Sequence, residues 1–151
     1  MNLQQINHIV AERAFPDVAF APQVKETHIS WIILSDNFAF KIKKPVAFSF
    51  VDLSAMKFRR YACRREILLN NRCSTGVYLG RIAVRKDGDR IEIGGTRGEV
   101  IDWAVQMNRL DSALQLDEML AAGEVKLGHM IMLGQHIAHC HRLFPAVKII
   151  P

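Results

Sequence analysis

Residues 37–46 read NFAFKIKKPV, and their alternation constrains the fold more tightly than any other stretch. Phe38, Phe40 and Ile42 fall on one side of a two-residue period, and Ala39, Lys41 and Lys43 on the other. That is the pattern of a strand with one face turned to a core. Pro45 ends the run. VKETH and ISWIIL precede it, with Ser35-Asp36-Asn37 as a turn, so three successive strands are predicted. The strand also poses a chemical question, because a lysine stands two residues after an alanine small enough to leave room for something.

The rest of the chain supplies helices and further strands. Leu3, Ile6, Ile9 and Val10 recur at helical spacing and predict a helix over roughly 2–14 that stops before Pro16. A loop with Pro16 and Pro22 follows. Ser54 is the predicted N-cap of a long helix reaching about Arg72. GVYLGRIAVR and RIEIGG flank a turn at Lys86-Asp87-Gly88-Asp89, and EVIDWAVQMNRL adds another strand. Asp111 or Ser112 is predicted to cap a helix ending at Gly123, and a last helix runs from about Leu127 to Phe144 before Pro145. Composition shifts near Asn108 from sheet-like to helical. The expected class is therefore α+β, in two parts, 1–108 and 109–151.

Half of the 151 residues are apolar and about a quarter are charged, which suits a globular chain rather than a disordered one. No window offers the ~18 uninterrupted apolar residues of a membrane span, and residues 1–13 lack the basic start and apolar stretch of a leader. A cytoplasmic protein with no membrane partner is expected. Three cysteines, Cys63, Cys73 and Cys140, fit neither a disulfide framework nor a zinc knuckle. The net charge of +5 favours anionic partners.

Phe58, Ala62, Glu66, Leu69 and Cys73 are spaced to form one narrow stripe of the long helix, and Glu66 interrupts a face otherwise fit for burial. A carboxylate withdrawn from water without a cation would cost on the order of several kcal/mol. Either the helix is rotated so that Glu66 pairs with Arg65 or Lys57 in solvent, or it faces inward and meets Lys41.

The runs ETHISWIILSDNFAFKIKKPVAFSFVDLS, RRYACRREILLNNR and DWAVQMNRL resemble the N-terminal part of a bacterial family of aminoglycoside-phosphotransferase-like kinases, often fused to a P-loop ATPase or kinase-like domain. The resemblance implies a protein-kinase-like small lobe, with a five-stranded antiparallel sheet and one long helix, followed by the first helices of a larger lobe. It implies that Ala39 makes room for the adenine of ATP, that Lys41 holds the phosphates and that Glu66 orients Lys41. Lys43 is the alternative key lysine; otherwise Lys43 and Lys44 are solvated or attract phosphate. Thr27, His28 and Ser30 would lie on the loop covering the phosphates, where the alternative is an ordinary polar turn. Residues 106–110, with Met107 and Arg109, would form the hinge that reads the adenine edge.

No His-Gly-Asp or His-Arg-Asp triplet occurs, so the catalytic aspartate and the metal-binding aspartate of such kinases have no counterpart. Magnesium is expected only with a complete larger lobe, and the chain alone should bind nucleotide weakly and transfer no phosphate. A homo-oligomer or a partner protein covering the lower face is expected. His136 and His139 stand three apart on a helix, but Cys140 is expected to point elsewhere and His141 to be structural, so metal binding is disfavoured. The rival readings are a nucleic-acid-binding module, resting on Lys57, Arg59, Arg60, Arg64 and Arg65, and a noncatalytic regulatory module. A solvated helix face accounts more simply for that basic run.

Overall fold

The computed structural model describes residues 1–17 and 21–144. Part of the loop between Pro16 and Pro22, and the stop at Pro145, lie outside the described residues. The chain divides into two compact units, Met1–Arg109 and Leu110–Pro151.

The first unit is built on an antiparallel sheet. Its strands are β1 (Gln23–Glu26), β2 (Ser30–Leu34), β3 (Phe38–Lys43), β6 (Tyr78–Asp87), β7 (Arg90–Ile93) and β8 (Glu99–Asn108), in the order β1-β2-β3-β8-β6-β7. Six strands replace the expected five because RIEI pairs with β6 as an edge strand of its own. The two-residue turn before it holds Gly88 at φ +58°, a conformation that side-chain-bearing residues rarely adopt. A separate hairpin, β4 (Ala47–Phe48) and β5 (Val51–Asp52), follows Pro45.

Register decides which side chains share a face. Ile42 stands opposite Trp31 and Ala104, and Phe40 opposite Ile33. These residues form the core with Ile6 and Ile9 of α1 (Leu3–Ala11) and with Ala14, Phe15, Val84, Ile91 and Ile93. Asn2 and Gln5 form a reciprocal capping box at the start of α1. The opposite face carries Ala39, Lys41 and Lys43, with Met107 and Val105 beside the first two. There α2 (Met56–Asn70) packs on β8 and β6.

Two expectations for α2 are corrected. Its N-cap is Ala55, with no side-chain cap, because the Ser54 hydroxyl donates to the Asp52 carboxylate instead, at 2.6 Å. Its inward line runs through Arg59, Cys63 and Glu66, while Phe58 and Leu69 are exposed. The rotation is anchored by Arg59, whose guanidinium reaches both oxygens of buried Asp102 at 3.0 Å and donates to the carbonyls of Leu53 and Ser54. The Met1 ammonium also lies 3.3 Å from Asp102. Arg59 is thus no part of a solvated basic face.

In the second unit, the helix expected over 111–123 is two pieces. The Asp111 carboxylate accepts from the Ala113 amide and caps a short 3-10 turn, Ser112–Leu114. Gln115 is extended, and α3 (Leu116–Ala121) begins after it. Gly123 lies at φ +70° past its end. The last helix, α4, is Leu127–Leu143. Among the described residues, no helix is long and apolar enough to cross a membrane.

Candidate functional site

Lys41 and Lys43 stand two apart on β3, so both point to the face on which α2 lies. Glu66, ten residues into that helix, meets both. Lys41 Nζ donates to Glu66 Oε1 at 2.8 Å and Lys43 Nζ to Oε2 at 2.6 Å, one ammonium per carboxylate oxygen. Charge-assisted bonds of this length are the strong kind. The choice left open by the sequence is settled as regards geometry: Glu66 faces the sheet rather than pairing with Arg65 or Lys57.

Lys43, which the sequence left as the alternative key lysine or as a solvated or phosphate-attracting neighbour, is the more buried lysine, with its side chain 6 % exposed against 26 % for Lys41. It can be buried because the second carboxylate oxygen neutralises it. Burial pushes the Glu66 carboxyl up, but the hydrogen bonds and charges of the two lysines overrule it and hold the group below its ordinary value. Two ammonium groups on one carboxylate leave a net positive charge. Lys41 is the member of the trio with side-chain surface left to meet an anion.

The surroundings are set by register. Ala39, two residues before Lys41, is buried opposite Leu34 and Met107. Met107 in turn stands opposite Tyr78. Burial raises the Tyr78 hydroxyl, Glu66's charge adds to that, and Lys41's charge opposes it, so this ring belongs to the same site. Cys63, one turn before Glu66, is fully buried and its thiol is pushed up to about 11, chiefly by burial. Sequence reading missed Tyr78 and Cys63. The helical step from Cys63 to Glu66 was the available signal for the cysteine; a β-bulge next to Tyr78 hid the tyrosine.

The remaining candidates are placed differently. The Thr27 hydroxyl donates to the Ser30 carbonyl and accepts from the Ser30 amide, closing the β1–β2 turn. Ser30 is fully buried opposite Lys43, and among the described residues its hydroxyl has no hydrogen-bond partner. His28 is exposed on the turn. Arg109 donates from its guanidinium to the Ser35 carbonyl at 2.7 Å, and the Asn108 and Arg109 amides bond the Val77 and Asn37 carbonyls. Lys44 turns to Glu26 and lies over the Trp31 ring.

In the second unit, Cys140 lies on the same helical side as His136, with Sγ 3.6 Å from Nε2, rather than pointing away. The four-residue step brings them together. Among the described residues, no group of three or more His, Cys, Asp or Glu side chains is arranged to hold a metal ion.

No family model matches the chain, and no solved structure matches it. Three proteins, each described as uncharacterized, are similar to it: one from Mycobacterium bovis and two from strains of Mycobacterium tuberculosis. Each is 33% identical over 135 residues, covering 89% of this chain and 24% of the relative. The chain thus spans about a quarter of the length of the curated relatives it matches.

Proposed function

We propose that residues 1–109 are a protein-kinase-like small lobe that binds a nucleoside triphosphate such as ATP. Lys41 would take the phosphates, Glu66 would position Lys41, and Ala39 with Met107 would lie toward the base. The observation that carries this reading is the 2.8 Å bond between a mid-strand lysine and a carboxylate of the long helix, two residues after a small side chain. The uncompensated charge of the lysine pair suits a polyphosphate. The committed hydroxyl of Thr27, the burial of Ser30 and the carbonyl bonds of Arg109 narrow the phosphate contacts to Lys41 and the exposed His28.

Phosphoryl transfer depends on positioning and on neutralising charge, which such kinases achieve with metal-binding carboxylates of a larger lobe. The chain alone is therefore proposed to bind without transferring, in the cytoplasm. For a Kd on the order of 1 mM, ~10 mM ATP should raise stability by about 1.4 kcal/mol, read as a rise in melting temperature. Lys41→Met should abolish the rise and leave the fold intact. Equal stabilisation of Lys41→Met, or none of the wild type, would overturn the reading.

A further inference from the structure

A groove runs between α2 and β6. Arg64, Ile67, Leu68 and Asn71 form the helical wall, on one face of α2, and Gly80 and Arg81 form the strand wall. The cavity measures about 550 Å³, and among the described residues no carboxylate lines it. Arg81 lies 4.2 Å from the centre of the Trp103 ring, and Arg60 also lies over that ring. The groove therefore presents an arginine at each wall beside the apolar side chains of Ile67 and Leu68.

Gly80 is informative. Glycine inside a strand weakens it. It sits at the bulge of β6, where glycine is common, yet its φ is not in the left-handed region and an added Cβ would meet nothing within 4 Å, so a side chain could be accommodated there. The effect of the missing side chain is to keep the groove open.

A ligand for such a groove needs carboxylates beside bulky apolar groups, and this chain carries one. Residues 111–125 hold Asp111, Asp117, Glu118 and Glu124 with no lysine or arginine, and Leu114 and Leu120 are 70 % and 59 % exposed. Residues 1–109 hold 17 Lys and Arg against 11 Asp and Glu, whereas 110–151 hold 3 against 4. The two parts of the chain thus carry net charges of opposite sign. We propose that the α2–β6 groove receives the acidic, leucine-bearing segment 111–125 of a second copy of this chain. A reciprocal exchange closes a pair and leaves no open end to polymerise. Nucleic acid is the lesser fit, because Arg59 is buried and Ile67 and Leu68 interrupt the basic lining, so the groove offers no track of phosphate contacts.

Sedimentation velocity of the full chain decides the matter independently of nucleotide binding. A concentration-dependent dimer is expected by about 100 µM at low salt, dissociating as salt rises. Arg64→Glu and Glu118→Arg should each weaken it about tenfold, and the two changes in one chain should restore it. Gly80→Val, which fills the groove without straining the backbone, should block the dimer while circular dichroism and melting temperature hold. A monomer throughout the range, or a dimer indifferent to Arg64→Glu and Gly80→Val, overturns the proposal. So does tight binding of a short DNA duplex that both variants abolish.

Discussion

In residues 1–109 helices cover both faces of a six-stranded sheet and sixteen of the described apolar residues are buried, whereas among the described residues of 110–151 only Cys140 is. Leu127, Ile131 and Met132 of α4 are more than half exposed. A sheet between two helical layers completes its own interior, whereas the described helices of the second unit leave most of their apolar side chains exposed. Stability in the first unit therefore comes from packing. In the second it rests on local helix formation and on whatever its apolar faces meet.

The sharpest way to break this contrast is side-chain truncation. Phe40→Ala, at a fully buried position, should lower unfolding free energy by about 3–5 kcal/mol in urea titration. Ile131→Ala, on exposed α4, should change it by no more than about 0.5 kcal/mol. Equal costs would erase the distinction.

Acid should act on the first unit through Glu66. Its folded pKa lies below the ordinary 4.5, so its contribution is complete above that value and fades as pH falls through the folded pKa. Lys43→Met removes one of the groups holding the pKa down and should move the acid midpoint upward. Both tryptophans, Trp31 and Trp103, lie in residues 1–109, so their fluorescence reports this unit alone. An unchanged midpoint would show that Lys43 contributes nothing to holding Glu66 ionised.

The smallest effect is a matter of rate. Cys63 is buried with its thiol at about 11, so at pH 8 it should react with a thiol reagent far more slowly than half-buried Cys73. Mass spectrometry of the singly labelled chain would reverse this order if the α2 face opened readily.

What the sequence disclosed depended on the range of the interaction. The alternation in 38–43 and the Gly88 turn are local, and both strands and hairpin could be read directly. Glu66 stood out because a carboxylate interrupted an apolar stripe. Arg59 did not, because its partner Asp102 is 43 residues away and nothing in the helix distinguishes an arginine aimed at a buried acid from one in water. The burial of Lys43 was not legible for a related reason: period two puts it on Lys41's face, but only the position of Glu66's second oxygen shows that it can be buried there. The stripe through Phe58 and Leu69 was drawn one residue off, since its rotation is fixed by that same distant arginine bond.

The shared carboxylate also bears on how substitutions accumulate. With one cation on each oxygen, losing either lysine weakens the attachment of helix to sheet without severing it. Chains carrying an uncharged residue at position 41 or at position 43 should still assemble, and even without both lysines the Arg59–Asp102 bond would still tie α2 to the sheet.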